Sequence, residues 1–253
     1  MTLGFLLKKI AGPQLAGRLR ALKPAGASQG RASRDVPELE SHLVSALVIS
    51  GCLPPGLTVD IYDSRAWLGV TPFIVEKLRP PLLASLPWLS RFPETNVRTY
   101  VVGPDSSRGI WFFTLEAARG AAVAGATAVY GLPYRWASMD VRQDGGNFHY
   151  WSRRGEATTD IVVEPGLPAE TTGLELFLTA RFRLFSFRNK RLRFADVEHE
   201  PWPLKSARGL KINQTLLRSL SIDEPRGDPM IHHSTGVRTL EPSGLLRSSK
   251  GLI

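Results

Sequence analysis

In the stretch GLPYRWASM, Gly131 to Met139, a phenol and a guanidinium stand next to each other behind a proline. Tyr134 can donate a hydrogen bond, and Arg135 stays protonated at physiological pH. The preceding segment AARGAAVAGATAVY is rich in alanine and free of proline, which predicts a helix. Gly131 can leave that helix in the left-handed region, and Pro133 prevents its renewal before a strand begins near Ala137. The pair is thus expected at a rigid helix-to-strand junction, which can aim side chains into a cavity or act as scaffold alone.

A second polar motif is VEHEPWPL, Val197 to Leu204. Strand alternation would put Glu198 and Glu200 on one face and His199 on the other, while Pro201 and Pro203 end regular pairing around Trp202. Paired carboxylates can share a proton or hold a cation, so Glu198 and Glu200 are weaker ligand-binding candidates. No second histidine stands at ligand spacing, and His232 and His233, adjacent in sequence, would point apart on a strand. No metal site and no cofactor are therefore expected, and the motif reads best as structural. GASQG, Gly26 to Gly30, has the G-x-S-x-G form, yet its setting is a polar linker rather than a strand-turn-helix, so Ser28 is not expected to be a nucleophile.

The elements that would hold these groups are mainly strands. TVDIYDSRAWLGVTPFIV alternates apolar and polar positions on both sides of Asp63 and Ser64, and NVRTYVVGPDSSRGIWFFTL flanks a Gly-Pro-Asp-Ser-Ser loop. SMDVRQDGGNFHYWSR carries Gly145 and Gly146 where positive φ is needed. Three hairpins are predicted, with PELESHLVSALVISGC before them as helix.

A chain of 253 residues, 43% hydrophobic and 22% charged, can bury a sizeable core, which excludes disorder as its main state. Its formal charge of +9 is concentrated at the start: residues 1–34 hold seven basic groups and no acid, leaving 25 basic against 23 acidic groups elsewhere. No aromatic platform interleaves with those charges, which argues against a nucleic-acid surface. Leu3, Leu7 and Ile10, then Leu15, Leu19 and Leu22, recur at helical spacing in two pieces divided by Gly12 and Pro13. This pattern suits a basic, solvated and poorly ordered extension over 1–35, with contact to a membrane surface or partner as the alternative, and neither a signal peptide nor a spanning helix is expected. A single domain over 36–240 and a C-terminal tail over 241–253 complete the expected organisation. Cys52 is the only cysteine, so no intrachain disulfide forms, in keeping with a reducing cytoplasm.

The runs LPPGLTVDIYDSRAWLGVTPF, RFPETNVRTYV, GIWFFTLEA, GLPYRWASM and VEHEPWPL resemble those of the YqjF-like bacterial proteins of unknown function, roughly from Leu53 to Leu240. That family in turn resembles the acetoacetate decarboxylases. The resemblance implies an α+β, mainly antiparallel fold: a curved sheet closing into a cone-like barrel around a small-molecule cavity, with one or two packed helices. In the decarboxylases the counterpart of GLPYR is a Gly-x-Pro-Lys-Lys turn, where one lysine forms an imine and its neighbour lowers its pKa. Tyr134 and Arg135 stand at those positions, and neither can form an imine, so that chemistry should be absent here.

The same resemblance nominates Glu94 in RFPETNVRTYV as a pocket carboxylate, sharing one strand face with Asn96. If it points inward, burial would raise its pKa and suit it to proton transfer, with Arg135 opposing that shift; the alternative is an ion pair with Arg135 or with Arg98, which is also a weaker ligand-binding candidate. Ala180 stands where relatives carry a glutamate, and the family's opening strand is not recognisable before Leu53. Three readings follow. One is a binder of a small anionic or carbonyl ligand. The second is an enzyme in which Arg135 holds the anion, Glu94 moves a proton and Tyr134 donates to oxyanion charge. The third is a partner- or surface-binding protein acting through the basic tail.

Overall fold

The structure, a computed structural model, describes residues 3–11, 48–76, 91–120, 131–225, 227–237, 239–240 and 247–248. Most of them lie in one sheet. Its hydrogen-bonded order begins β16 (Arg247–Ser248), β11 (Arg191–Asp196), β10 (Arg183–Arg188), β5 (Arg108–Ala117), β4 (Arg91–Val102) and β3 (Arg65–Glu76). It continues through β1 (Leu3–Ala11), β14 (Met230–Ser234), β13 (Leu204–Gln214), β9 (Ala157–Pro168), β8 (Asn147–Arg154) and β7 (Ser138–Asp144). β2 (Thr58–Val59) adds to β4, β6 (Tyr134–Trp136) adds to β5, and β12 (Glu198–His199) pairs with β15 (Thr239–Leu240) apart from the main sheet. Two short helices lie wholly within the described residues, α1 (Gly173–Thr179) and α2 (Leu216–Ser219). The fold is mainly antiparallel, as expected; β10 and β6 run parallel to β5.

Two of the three expected hairpins are present as read. β4 and β5 pair across the 103–107 loop, and β7 and β8 pair across Gly145 and Gly146, whose φ of +54° and +89° only glycine adopts freely. The first is corrected. Asp63 and Ser64 form a tight turn under a Tyr62–Arg65 bridge, but β2 leaves β3 and pairs with β4, where the Asp60 amide donates to the Tyr100 carbonyl at 2.8 Å. Of the helix expected over 37–52, residues 48–51 are helical and the earlier part lies outside the described residues. The helix expected over 117–130 falls largely on 121–130, also outside them, and Ala117 is the last residue of β5.

The N-terminal segment is the larger correction. Leu3–Ala11 is a strand, laid between β3 and β14 with Leu7 opposite Gly69 on one side and Met230 on the other. Helical spacing over nine residues is a weak local preference, and two open ladders satisfy the backbone along both edges of the segment. The remainder of the expected extension, residues 12–35, lies outside the described residues.

The sheet curls until distant strands meet. Glu116 of β5 accepts from Nε of Arg154 on β8 at 2.8 Å, although β4, β3, β1, β14, β13 and β9 separate the two in the hydrogen-bonded order. The inner face buries Val70, Val97, Tyr150, Ile161 and Val163 together with Leu216 and Leu217 of α2. The opposite face of the same central strands buries Trp67, Tyr100, Phe112 and Leu115 under Phe177 and Leu178 of α1. Alternation along β3 and β4 thus feeds two cores, each fully buried large apolar side chain contributing about 1.5–3 kcal/mol.

Candidate functional site

The α1-side face of the sheet carries a buried carboxyl, that of Glu94. On β4, Glu94 lies opposite Phe73 of β3 and Ala117 of β5, while Asn96 lies opposite Thr71 and Leu115. β6 extends both rows, with Tyr134 beside Leu115 and Trp136 beside Ala117. The turn before β6 holds it there: Gly131 has φ of +60°, the Tyr134 amide donates to the Leu132 carbonyl at 2.8 Å, and Leu115 N–H donates to the Pro133 carbonyl at 3.1 Å. Tyr134 Oη then reaches across β5 and donates to Oε2 of Glu94 at 3.1 Å.

Glu94 is 4% exposed. Burial pushes its carboxyl up to about 8, and hydrogen bonds from Tyr134 and Asn96 only partly oppose that rise. At neutral pH the group is therefore mostly a neutral acid, ready to exchange its proton under mildly alkaline conditions. Next to it, Oδ1 of Asn96 and Oγ1 of Thr71 are buried without a hydrogen-bond partner. Those two residues are register neighbours, so two unmet polar atoms lie on the sheet face that carries the carboxyl and the phenol. Leaving a buried polar atom unsatisfied costs about 1–3 kcal/mol, an expense that a ligand offering matching groups removes.

Arg135 does not join this group. One position along β6 turns it to the inner face, exposed, where its register partner is Glu116. The expected convergence of Glu94, Tyr134 and Arg135 is thus corrected to Glu94 with Tyr134, because adjacent strand residues face opposite ways. Burial and two neutral hydrogen bonds set the state of Glu94, and Arg135 is not among the influences on it. Arg98 shares the Glu94 face, buried opposite Gly69 and Phe112.

Glu198 and Glu200 are exposed, on and just after β12, which pairs with β15 apart from the main sheet. The His199 ring lies 4.9 Å from Phe182 and 5.7 Å from Trp202. His232 and His233 point apart as anticipated: His232 lies 3.6 Å from Glu175 of α1, and His233 stacks on Phe148 at 4.5 Å, its pKa pushed down to about 4 by burial. Ser28 falls outside the described residues, and Cys52 is exposed.

Glu116 went unnoticed in sequence, although it stands in the quoted run GIWFFTLEA. Fully buried, it is bonded by Arg154 and by Ser152 Oγ at 3.4 Å, and burial raises its pKa while Arg154 and Arg135 pull it down. Its alternation with Leu115 on a strand was the available signal. A separate cavity of about 340 Å³ opens on the inner side between Leu68, Val70, Ile212 and Leu217, and none of the nominated residues lines it. Among the described residues no three His, Cys, Asp or Glu side chains are grouped to hold a metal ion, and no helix is long and apolar enough to cross a membrane.

The curled, mainly antiparallel sheet is of the acetoacetate decarboxylase-like class. It superposes on the acetoacetate decarboxylase of Legionella pneumophila subsp. pneumophila str. Philadelphia 1 over 99% of this chain and 87% of that one, with a TM-score of 0.57 and 11% identity. A second acetoacetate decarboxylase structure aligns over 99% of this chain and 89% of its own, with a TM-score of 0.52 and 10% identity. Within that class the chain belongs to the DUF2071 family of uncharacterized conserved proteins, which matches residues 41–238. It is 32% identical over 197 residues to the uncharacterized protein YqjF of Bacillus subtilis (strain 168), covering 76% of this chain and 81% of that protein.

Proposed function

We propose that this protein binds a small carbonyl or hydroxyl compound without covalent chemistry, at Glu94, Tyr134, Asn96 and Thr71. One observation carries the reading: a buried, protonatable carboxyl bonded to a phenol lies beside two buried polar atoms that lack partners. The neutral acid, held by the Tyr134 phenol, donates its own O–H to a carbonyl oxygen, while Thr71 and the Asn96 carbonyl suit a hydroxyl. With Arg135 on the other face, this site favours a neutral ligand over a carboxylate. No lysine stands at the turn, so imine formation has no nucleophile there.

Titration calorimetry with butanone and butan-2-ol tests the reading. Saturable binding is expected, weakened about tenfold in Tyr134→Phe and in Glu94→Gln, the weight of one hydrogen bond each. Wild-type protein that binds neither compound, or variants that bind them unchanged, would refute it.

A second reading, acid-base catalysis on the bound carbonyl compound, is favoured by the ionisation of Glu94 near pH 8. It predicts exchange of the α-hydrogens of butanone in deuterated water, rising as pH passes through 8 and abolished in Glu94→Gln. Exchange no faster than in buffer would leave binding alone.

A further inference from the structure

About 20 Å along β4 from Glu94, at six residues' distance on the same face, the protein buries a second polar cluster. Asp60, 6% exposed, accepts from Arg181 Nη1 at 2.6 Å and from Arg108 Nε and Nη2 at 2.7 and 3.1 Å. One carboxylate against two guanidiniums leaves an excess positive charge. Arg181 is only 4% exposed, and its head lies 4.2 Å over the Phe177 ring and 5.1 Å from the Tyr100 ring centre. Its Nε donates to the Phe177 carbonyl at 2.5 Å.

That arrangement leaves Nη2 of Arg181 buried with no acceptor. Tyr100 Oη and Trp67 Nε1 are in the same condition, on side chains 0% and 2% exposed in the same aromatic core. The indole N–H and the guanidinium can only donate, and the phenol can donate as well. Three unmet donors in a cluster of net positive charge call for an anionic acceptor. One more ring, Tyr62, meets Phe177 at 5.3 Å with the planes tilted by 46°, and the two offer an apolar wall. Arg108, whose side chain is 53% exposed, marks the side from which solvent reaches the cluster.

We infer that the Asp60–Arg108–Arg181 cluster, with Tyr100 and Trp67, is a binding site for a small monocarboxylate. The carboxylate oxygens take the hydrogen bonds of Arg181, Tyr100 and Trp67, and its short alkyl part rests on the aromatic wall. Desolvation of the anion is offset because the site already holds a spare positive charge and donors with no other partner. This site stands independently of the one at Glu94.

The test uses the full chain at pH 7 with acetate, and acetamide as its uncharged counterpart. Acetate should raise Tm saturably and shift the Trp67 indole N–H resonance, assigned by its disappearance in Trp67→Phe. Acetamide should do neither. Tyr100→Phe deletes a single hydroxyl and leaves the packing ring, so the variant folds; it should weaken acetate about tenfold, as expected for a lost charge-assisted hydrogen bond. Arg181→Lys should abolish the effect, and if that variant fails to fold, the Tyr100→Phe titration decides. Equal responses to acetate and acetamide, a motionless Trp67 resonance, or unchanged acetate affinity in Tyr100→Phe would overturn the assignment.

Discussion

Glu94 has a carboxyl group whose proton belongs to the fold. Its ordinary pKa of 4.5 rises to about 8 in the native state, so the native protein holds a proton that the unfolded chain releases. The resulting stabilisation is fully present below pH 4.5 and is lost as pH rises through 8. Urea unfolding at pH 5 and 8.5 should show wild type losing a few kcal/mol more than Glu94→Gln, which keeps the neutral form throughout. Equal losses would mean that the carboxyl is not buried as described. Imine trapping supplies a second check: borohydride with acetoacetate should leave no adduct, since Tyr134 and Arg135 lack an amine. The relation of Glu94 to Tyr134 was legible because a match to related sequences placed both. The departure of Arg135 was legible too, from strand alternation alone, once the turn is read as leading directly into β6. The charge cluster was not, because Asp60 after β2, Arg108 at the start of β5 and Arg181 after α1 come together only in the folded chain, from positions far apart in sequence.

Among the elements, the hairpins declared themselves through residues that tolerate positive φ, such as Gly145 and Gly146, and through apolar alternation on both sides. β1 hid because LGFLLKKIA satisfies helical and extended spacing alike, and only the two ladders it enters decide between them. Removing residues 1–11 should therefore cost more than a frayed tail would. The exposed edges of β3 and β14 should lower Tm by more than 10 °C or leave the protein aggregating, measured by scanning calorimetry and light scattering. An unchanged Tm would return this segment to the status of an extension. At the turn before β6, Gly131 has φ of +60° and a substituted Cβ would meet Arg188 Cδ at 3.4 Å. Gly131→Ala should cost about 1–2 kcal/mol, chiefly from the backbone, and loosen the Tyr134–Glu94 hydrogen bond with it.

The curl of the whole sheet depends on groups that join its distant parts. Glu116 on β5 and Arg154 on β8 are one such clasp, with Ser152 Oγ also 2.6 Å from Thr159 Oγ1 beneath it. Arg154→Met should destabilise by about 2–3 kcal/mol in urea, somewhat below the usual toll for a fully buried pair because Arg154 is 30% exposed. The Glu116→Gln, Arg154→Met double variant should recover part of that loss, since no buried charge is then left alone. Failure of the double variant to exceed the single one would show that the clasp works through packing.

The position of β1 between β3 and β14 also sets a timetable. Leu7 lies opposite Met230, so the ladder joining them closes only after the chain has been made as far as β14. Until then a growing polypeptide carries an early strand with one neighbour missing, and contacts of such long sequence separation form slowly. Synthesis and final closure are therefore separated in time, and the cell must keep the waiting strand from pairing with another copy of itself.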